Sequence, residues 1–456
     1  MSLIAFFGLI FVVIGLIHFY LWKRLVRDPF RPGGLRRAGA LVAVLLAVLV
    51  PTTLIGVRSG YLEWLAWPGY LWLALMFYLF VTLVVLEIPR LAISLWIRAT
   101  SKSTARSKAP KPGKELGEKQ GEEEADGPLA ATAGTEQTRT TTAGARPGIA
   151  SAAGTRLGTT SGAEGPTSAT STVADREDPG SPRGIDRRLL LARGAAIFAG
   201  LTAVGTTGYG VKSALGPPQL DRVQLPMAKL PRAMDGTRLA VVSDIHLGPL
   251  TGAQHAGRIV NLINSVNADI VCIVGDLVDG TVAELGRFAA PLADIESRRG
   301  AYFVTGNHEY YSGYQEWVAE VARLGVRPLR NERLEIGGLD LAGVNDIGGV
   351  EFGDGPDLRR ALGDRDVGRP VVLMAHQPVV ARDAAPFGVD LQVSGHTHGG
   401  QMVPFNLLVP LQQPVVSGFG EVDGVPVYVT NGAGFWGPPV RVGAPPQVTV
   451  IELRTP

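Results

Sequence analysis

One cysteine, Cys272, stands in a chain of 456 residues. A disulfide within the chain is therefore impossible, and a thiolate cluster around a metal is excluded. Cys272 lies in the apolar run "DIVCIVGD" and reads as a small buried hydrophobe. Histidine is also scarce, at seven. The formal net charge is only +2, so the basic excess of a nucleic-acid binder is missing and no nucleic-acid partner is expected. That near-balance hides a segregated chain: very apolar first, then polar, then mixed.

Three long runs almost without charge come first: residues 3–22, 38–57 and 70–88. Each is about long enough to cross a bilayer. Tyr61, Trp64, Trp67 and Trp72 gather near their outer ends, as in an interfacial belt. The loop after the first run carries Lys23, Arg24, Arg27, Arg31, Arg36 and Arg37; the loop after the second has Arg58. Basic residues resume after the third with Arg90, Arg98 and Lys102. The positive-inside rule then puts the first loop and the segment after the third run in the cytoplasm. His18, within the first run, reads as a polar residue facing an end of the span.

Aromatic residues almost vanish from 100–185, where Ala, Gly, Thr, Ser, Glu and Pro dominate. Such a composition cannot bury a core, and a disordered tether is expected. Arg187, Arg188 and Arg193 then precede an apolar stretch within 186–215, a fourth span or an internal signal-anchor. This division predicts three transmembrane helices over 1–99, a linker over 100–185, a fourth helix over 186–215 and a soluble domain over 216–456. Four crossings would put that domain outside the cytoplasm, on a multi-pass protein of the cell membrane.

The last part reads as an α/β domain. Buried-strand patterns alternate with helical spacing, and five strands end in Asp, His or Asn: "VVSDIH", "VGDLVD", "VTGNHE", "LMAHQP" and "VSGHTHGG". Strand C-termini are where α/β sheets place ligands. The candidates are Asp244, His246, Asp276, Asn307, His308, His376, His396 and His398. Carboxylates mixed with imidazoles suit Mn, Fe or Zn. About seven donors exceed the needs of one ion and match two, with Asp276 as the shared carboxylate; two such ions can clamp a phosphoryl group.

Together "DIH", "GDLVDG", "GNHE", "AHQP" and "GHTHGG" resemble the calcineurin-like metallophosphoesterases, over roughly residues 236–453. The membrane-anchored layout, with "GHTHGGQ" and "GAPPQVTVIEL", is most similar to the bacterial membrane-associated branch. The resemblance implies a four-layer α/β/β/α sandwich. It implies that Asp244, His246, Asp276 and His398 hold one metal, and Asp276, Asn307, His376 and His396 a second. His308 would stabilise the transition state and protonate the leaving oxygen, with Glu309 orienting it. A bridging hydroxide would attack phosphorus in line. His255 fits no motif and reads as surface; Asp279 and Asp346 read as supporting or turn groups.

Two departures narrow the substrate. Purple acid phosphatases carry Tyr three residues after the bridging Asp, where this chain has Asp279. Protein serine/threonine phosphatases carry Arg at the positions of Gly280 and Thr305, so their bidentate phosphate clamp is missing. The favoured reading is a membrane-anchored phosphoesterase acting on a phosphate ester, with a lipid-linked phosphodiester or pyrophosphate preferred. The alternatives are a broad phosphodiesterase for soluble nucleotides and a non-catalytic metal-binding membrane scaffold. No protein partner can be inferred. Residues 401–411, "QMVPFNLLVPL", are too apolar for an ordinary exposed loop. They either pack on the domain's own sheet or meet lipid.

Overall fold

The computed structural model describes residues 3–107 and 187–456. Helix α1 (Leu3–Leu21), α2 (Gly34–Arg58), α3 (Ala66–Ser107) and α4 (Arg187–Leu215) form the apolar part. Three stretches, Gly34–Arg58, Glu63–Ala92 and Leu189–Leu215, are long and apolar enough to cross a membrane. Helix α3 runs on to Ser107, past the expected start of the linker at 100. The rest of that expected linker lies outside the described residues. Leu21, Val50, Ala74, Leu83, Ala199 and Ala203 are buried together among the helices. His18 lies in the last turn of α1. It is buried, with Nδ1 2.8 Å from the carbonyl of Ile14 and Nε2 accepting from Trp72 at 3.1 Å.

The remaining chain builds two six-stranded sheets. Its strands are β1 (Gln219–Pro226), β2 (Arg238–Val242), β3 (Ile270–Val274), β4 (Ala301–Val304), β5 (Arg327–Pro328) and β6 (Glu332–Ile336). They continue as β7 (Leu339–Gly343), β8 (Val371–Met374), β9 (Leu391–Ser394), β10 (Gly418–Val422), β11 (Val425–Val429) and β12 (Gln447–Arg454). The first sheet runs β1-β12-β2-β3-β4-β5 and the second β10-β11-β9-β8-β7-β6. The central strands β2, β3 and β4 are parallel, as are β7, β8, β9 and β11.

These strands are mostly apolar because both faces are covered; the buried polar exceptions are Asp340 in β7 and Gln392 and Ser394 in β9. Alternation then sorts each side chain to a layer. In β2, Ala240 and Val242 join an outer core with the helices α5 (Ala253–Ser265), α6 (Val282–Ala289) and, beyond the short α7 (Asn307–Tyr311), α8 (Tyr314–Arg323), through residues such as Ile259, Leu285 and Trp317. Leu239 and Val241 face inward, sharing a core with Val372, Met374, Leu391 and Val393 of the second sheet. Val371 and Leu373 face a third core with Ala381 and Ala384. The layers are thus helix, sheet, sheet, helix. Cys272 lies in the middle core, and burial pushes its thiol up to about 12. It is the small hydrophobe that its setting predicts.

Candidate metal centre

Parallel strands end together, so their C-terminal loops converge on one edge of the sandwich. Asp244 and His246 follow β2, Asp276 and Asp279 follow β3, and Asn307 to Glu309 follow β4. His376 follows β8, and His396 and His398 follow β9. The chain turns sharply at these points. Asp244, His246, Asp276, His396 and His398 all have positive φ, between 47° and 70°. Residues other than glycine rarely adopt that region, at a cost of about 1–3 kcal/mol each, and such strain concentrates at functional sites. Glycine makes the close approach possible. A Cβ at Gly306 would collide with the Asp276 carboxylate, and one at Gly395 with Ser243 and Asp244.

Three groups of close ligand atoms result: Asp244, His246 and His398; Asp276, His376 and His396; and His246, Asp279 and His308, the last sharing His246 with the first. Nε2 of His398 lies 3.0 Å from Nε2 of His246 and 3.3 Å from Oδ1 of Asp244. His376 Nε2 lies 3.1 Å from Asp276 Oδ2, and His246 Nε2 lies 3.9 Å from the same oxygen. Asp276 therefore stands between the first two groups. Atoms held about 2.0–2.2 Å from one ion lie roughly 3 Å from each other, so the spacing suits a metal.

The buried polar atoms bear on the same question. Nε2 of His376 and Oδ1 of Asn307 are buried without a hydrogen-bond partner. The 3.1 Å separation of His376 Nε2 from Asp276 lacks the alignment of a hydrogen bond. Buried polar atoms are seldom left unpaired, and a cation would satisfy both. His376 Nδ1 lies 2.8 Å from the carbonyl of Val274, which fixes the ring so that Nε2 faces the centre.

The protein's own charges bias the site. Burial opposes ionisation of Asp276, but His376 and His308 hold its carboxyl well below the usual range. Burial raises Asp244 against the nearby His376. Burial also holds His398 and His396 neutral, the first aided by Arg441 and the second, down to about 3, by His376. Neutral imidazoles and an ionised carboxylate are the forms that bind metal. His376 departs from this: burial opposes its charge, but Asp276 outweighs burial and holds the ring well above the usual imidazole range, toward the protonated form. Burial opposes a charge on His308, yet Asp276 and Asp279 lift it to about 9.

Some supporting roles differ from expectation. Asp279 Oδ1 lies 2.8 Å from His246 Nδ1 and 2.7 Å from His308 Nδ1, so one carboxylate fixes both rings. Glu309, expected to orient His308, instead accepts the backbone N–H groups of Asp276, Leu277 and Gly306 at 3.1, 2.7 and 2.6 Å. It ties two ligand loops together. Asp346 supports a turn as expected, accepting from the N–H of Gly348 at 2.7 Å. His255 is buried in α5 rather than exposed, because its helix face packs on the outer core.

Arg441 escaped the sequence reading. Fully buried, it donates to the carbonyls of His398 at 2.8 Å and Gly434 at 2.9 Å, and its Nη2 lies 3.0 Å from His398 Nδ1. Its context, "GPPVRVGAPP", has no periodicity and no motif, so nothing local marks it.

A model of the calcineurin-like phosphoesterase family matches residues 237–400. A Danio rerio protein described as a transmembrane protein with metallophosphoesterase domain is 37% identical over 260 residues, covering 54% of this chain and 60% of that protein. An uncharacterized metallophosphoesterase of Helicobacter pylori strain J99 is 35% identical over 56% of this chain and 68% of that protein. One from Aquifex aeolicus is 32% identical over 52% of this chain and 92% of its own length. The chain belongs to the metallophosphoesterase family, and the domain on which the metal-capable groups converge is its phosphoesterase domain. The chain spans only 60% and 64% of the two vertebrate relatives, from Danio rerio and Bos taurus.

Proposed function

We propose that the protein is a membrane-anchored phosphoesterase with two divalent ions, hydrolysing a phosphate ester presented at the bilayer surface outside the cytoplasm. The observation that supports the two-ion reading is a pair of neighbouring donor groups, with Asp276 of one group 3.9 Å from His246 of the other and with Asn307 Oδ1 and His376 Nε2 left buried and unpaired. Asp244, His246, Asp276 and His398 would hold one ion; Asp276, Asn307, His376 and His396 would hold the other. Bound there, Mn, Fe or Zn would supply positive charge to the phosphoryl oxygens and activate the attacking water. His308 has Nδ1 turned to Asp279, which leaves Nε2 to meet the substrate and protonate the leaving oxygen. Glu309 and Asp279 hold the loops and rings in place, so little reorganisation is needed as charge develops.

The membrane reading rests on where the domain meets the helices. Met402, Val440 and Val442 pack with the helix bundle, and Leu250 packs with Val57, Leu65 and Ala66. The loop 401–411 does not fold onto its own sheet: Phe405 is 49% exposed, Leu408 54% and Leu411 85%. A patch of this kind beside spanning helices fits an acyl surface. Orientation has separate support. Arg193 near the start of α4 donates to Pro29 of the basic first loop at 3.1 Å, while Gly210 near its end accepts from Arg441 N at 2.9 Å. Those points are about 26 Å apart along a helix. The basic loop and the phosphoesterase domain therefore lie at opposite ends of α4, and the positive-inside rule assigns the domain to the outer side.

The test is Asp276→Asn in the full chain, loaded with Mn. It should lose both ions by elemental analysis and nearly all hydrolysis of bis(p-nitrophenyl) phosphate. Retention of two ions per chain would remove Asp276 from its shared position.

A further inference from the structure

Apart from His308, two arginines of the phosphoesterase domain are engaged by other groups of the protein. Arg441 is committed to the main chain of His398 and Gly434. Arg330 is committed to Asn345 and Asp354. The arginines that would clamp phosphate in protein phosphatases are absent, at Gly280 and Thr305. A guanidinium from outside the domain stands nearby. Arg58, the last residue of α2, lies with Cζ 5.1 Å from the ring centroid of Tyr311. That ring is 5.7 Å from the ring of His308. Arg58 is exposed, and among the described residues its guanidinium forms no ion pair or hydrogen bond. Its charge reaches both Tyr70, which is also within reach of Asp279, and Tyr311.

A cation over an aromatic ring at an exposed site is held only loosely, so it stays available. A guanidinium presents planar paired donors that match phosphate oxygens. The end of a spanning helix is also where the headgroup of a membrane lipid would pass on its way to His308.

We infer that Arg58 is a substrate-positioning residue: a guanidinium supplied by membrane helix α2 that pairs with anionic oxygens of the phosphoester entering the site. The inference rests on the phosphoesterase reading and adds a role for the membrane segment beyond anchoring. The helix bundle would complete the substrate site, and the domain cut away from its helices would bind phosphate esters more weakly.

Two chromogenic diesters with the same leaving group test it on the full chain in nanodiscs with Mn. One is phosphatidyl-p-nitrophenol within the bilayer; the other is soluble bis(p-nitrophenyl) phosphate. Arg58→Ala should raise KM about tenfold for the lipid probe and by a smaller factor for the soluble one, with most of the loss in KM rather than kcat. Arg58→Lys should recover part of the KM, since charge is kept and the paired donors are lost. Unchanged KM for both probes would overturn the inference. So would a fall in kcat with lowered melting temperature and no recovery by lysine, which marks a structural role. The lipid preference is read separately, from the wild-type ratio of kcat/KM for the two probes. A wild type that does not favour the lipid probe ends the bilayer-substrate reading, while the KM of Arg58→Ala on the soluble probe still decides the role of Arg58.

Discussion

Two donor groups of the centre are finished to different degrees. Around Asp244, His246 and His398 the protein supplies partners. Asp279 meets Nδ1 of His246, Arg441 meets His398, and the N–H of His396 donates to Asp244 at 3.0 Å. Around Asp276, His376 and His396 it leaves a ring nitrogen of His376 and the amide oxygen of Asn307 buried and unpaired. The first group is stiffened from behind, while the second carries an unmet polar demand. A buried polar atom without a partner costs about 1–3 kcal/mol, so the second group has more to gain from a cation. The comparison predicts that the order in which the ions are lost depends on the supports behind each group.

His308 stands outside both groups, and its loss should have the largest effect. His308→Ala should leave two ions bound and lower turnover about 10²–10⁴-fold on an ester with a poor leaving group. The loss should be smaller for nitrophenyl esters, whose leaving group needs less protonation. Equal losses on both would end the acid role.

Arg441→Met tests the stiffening of the first group. Removing a group that holds a ligand in place lowers metal affinity about 10–100-fold. Dialysis against a graded chelator, followed by elemental analysis, should show one ion leaving early and the other at its wild-type concentration. Simultaneous loss of both ions would mean that the two groups are not separately supported.

A smaller effect, several-fold, is expected at the apolar loop beside the centre. Phe405→Ser combined with Leu408→Ser should lower hydrolysis of a bilayer phosphodiester and leave a soluble diester unchanged, since both side chains are exposed. Loss of both activities together with melting temperature would return the loop to the protein's core.

The smallest effect concerns stability alone. His255 is buried beside Arg258, and burial followed by that charge lowers its pKa from 6.5 to about 4. The folded chain therefore refuses a proton that the unfolded chain accepts below about 6.5. Its neutral form contributes stability above that pH, and the contribution is lost as pH falls from about 6.5 toward 4. Over that window the loss is about 1–3 kcal/mol, a few degrees of melting temperature. His255→Leu should flatten the decline between pH 7 and 5, and an unchanged slope would clear His255 of the effect.

Much of this was legible in the sequence because the information is local. An apolar run reports its own solvent, so the helices α2, α3 and α4 could be read directly. A strand buried on both faces reads as a nearly continuous apolar run, and the polar cluster that follows it marks the sheet edge. The candidates at the ends of β2, β3, β4, β8 and β9 follow from this pattern, and the fold brings them to one edge. Tertiary structure decided what depends on distant parts of the chain. Arg441 reaches His398 from 43 residues away. Asp279 rather than Glu309 holds the ring of His308, because the loop after β3 passes it while Glu309 turns back to the backbone. His255 is buried because one face of an amphipathic helix must meet the core, and a single histidine does not reveal which face it takes. Arg58 and Tyr311 meet across 253 positions only because α2 ends beside the domain. A linear pattern reports the solvent each residue prefers; which side chain satisfies which depends on where the folded backbone carries them.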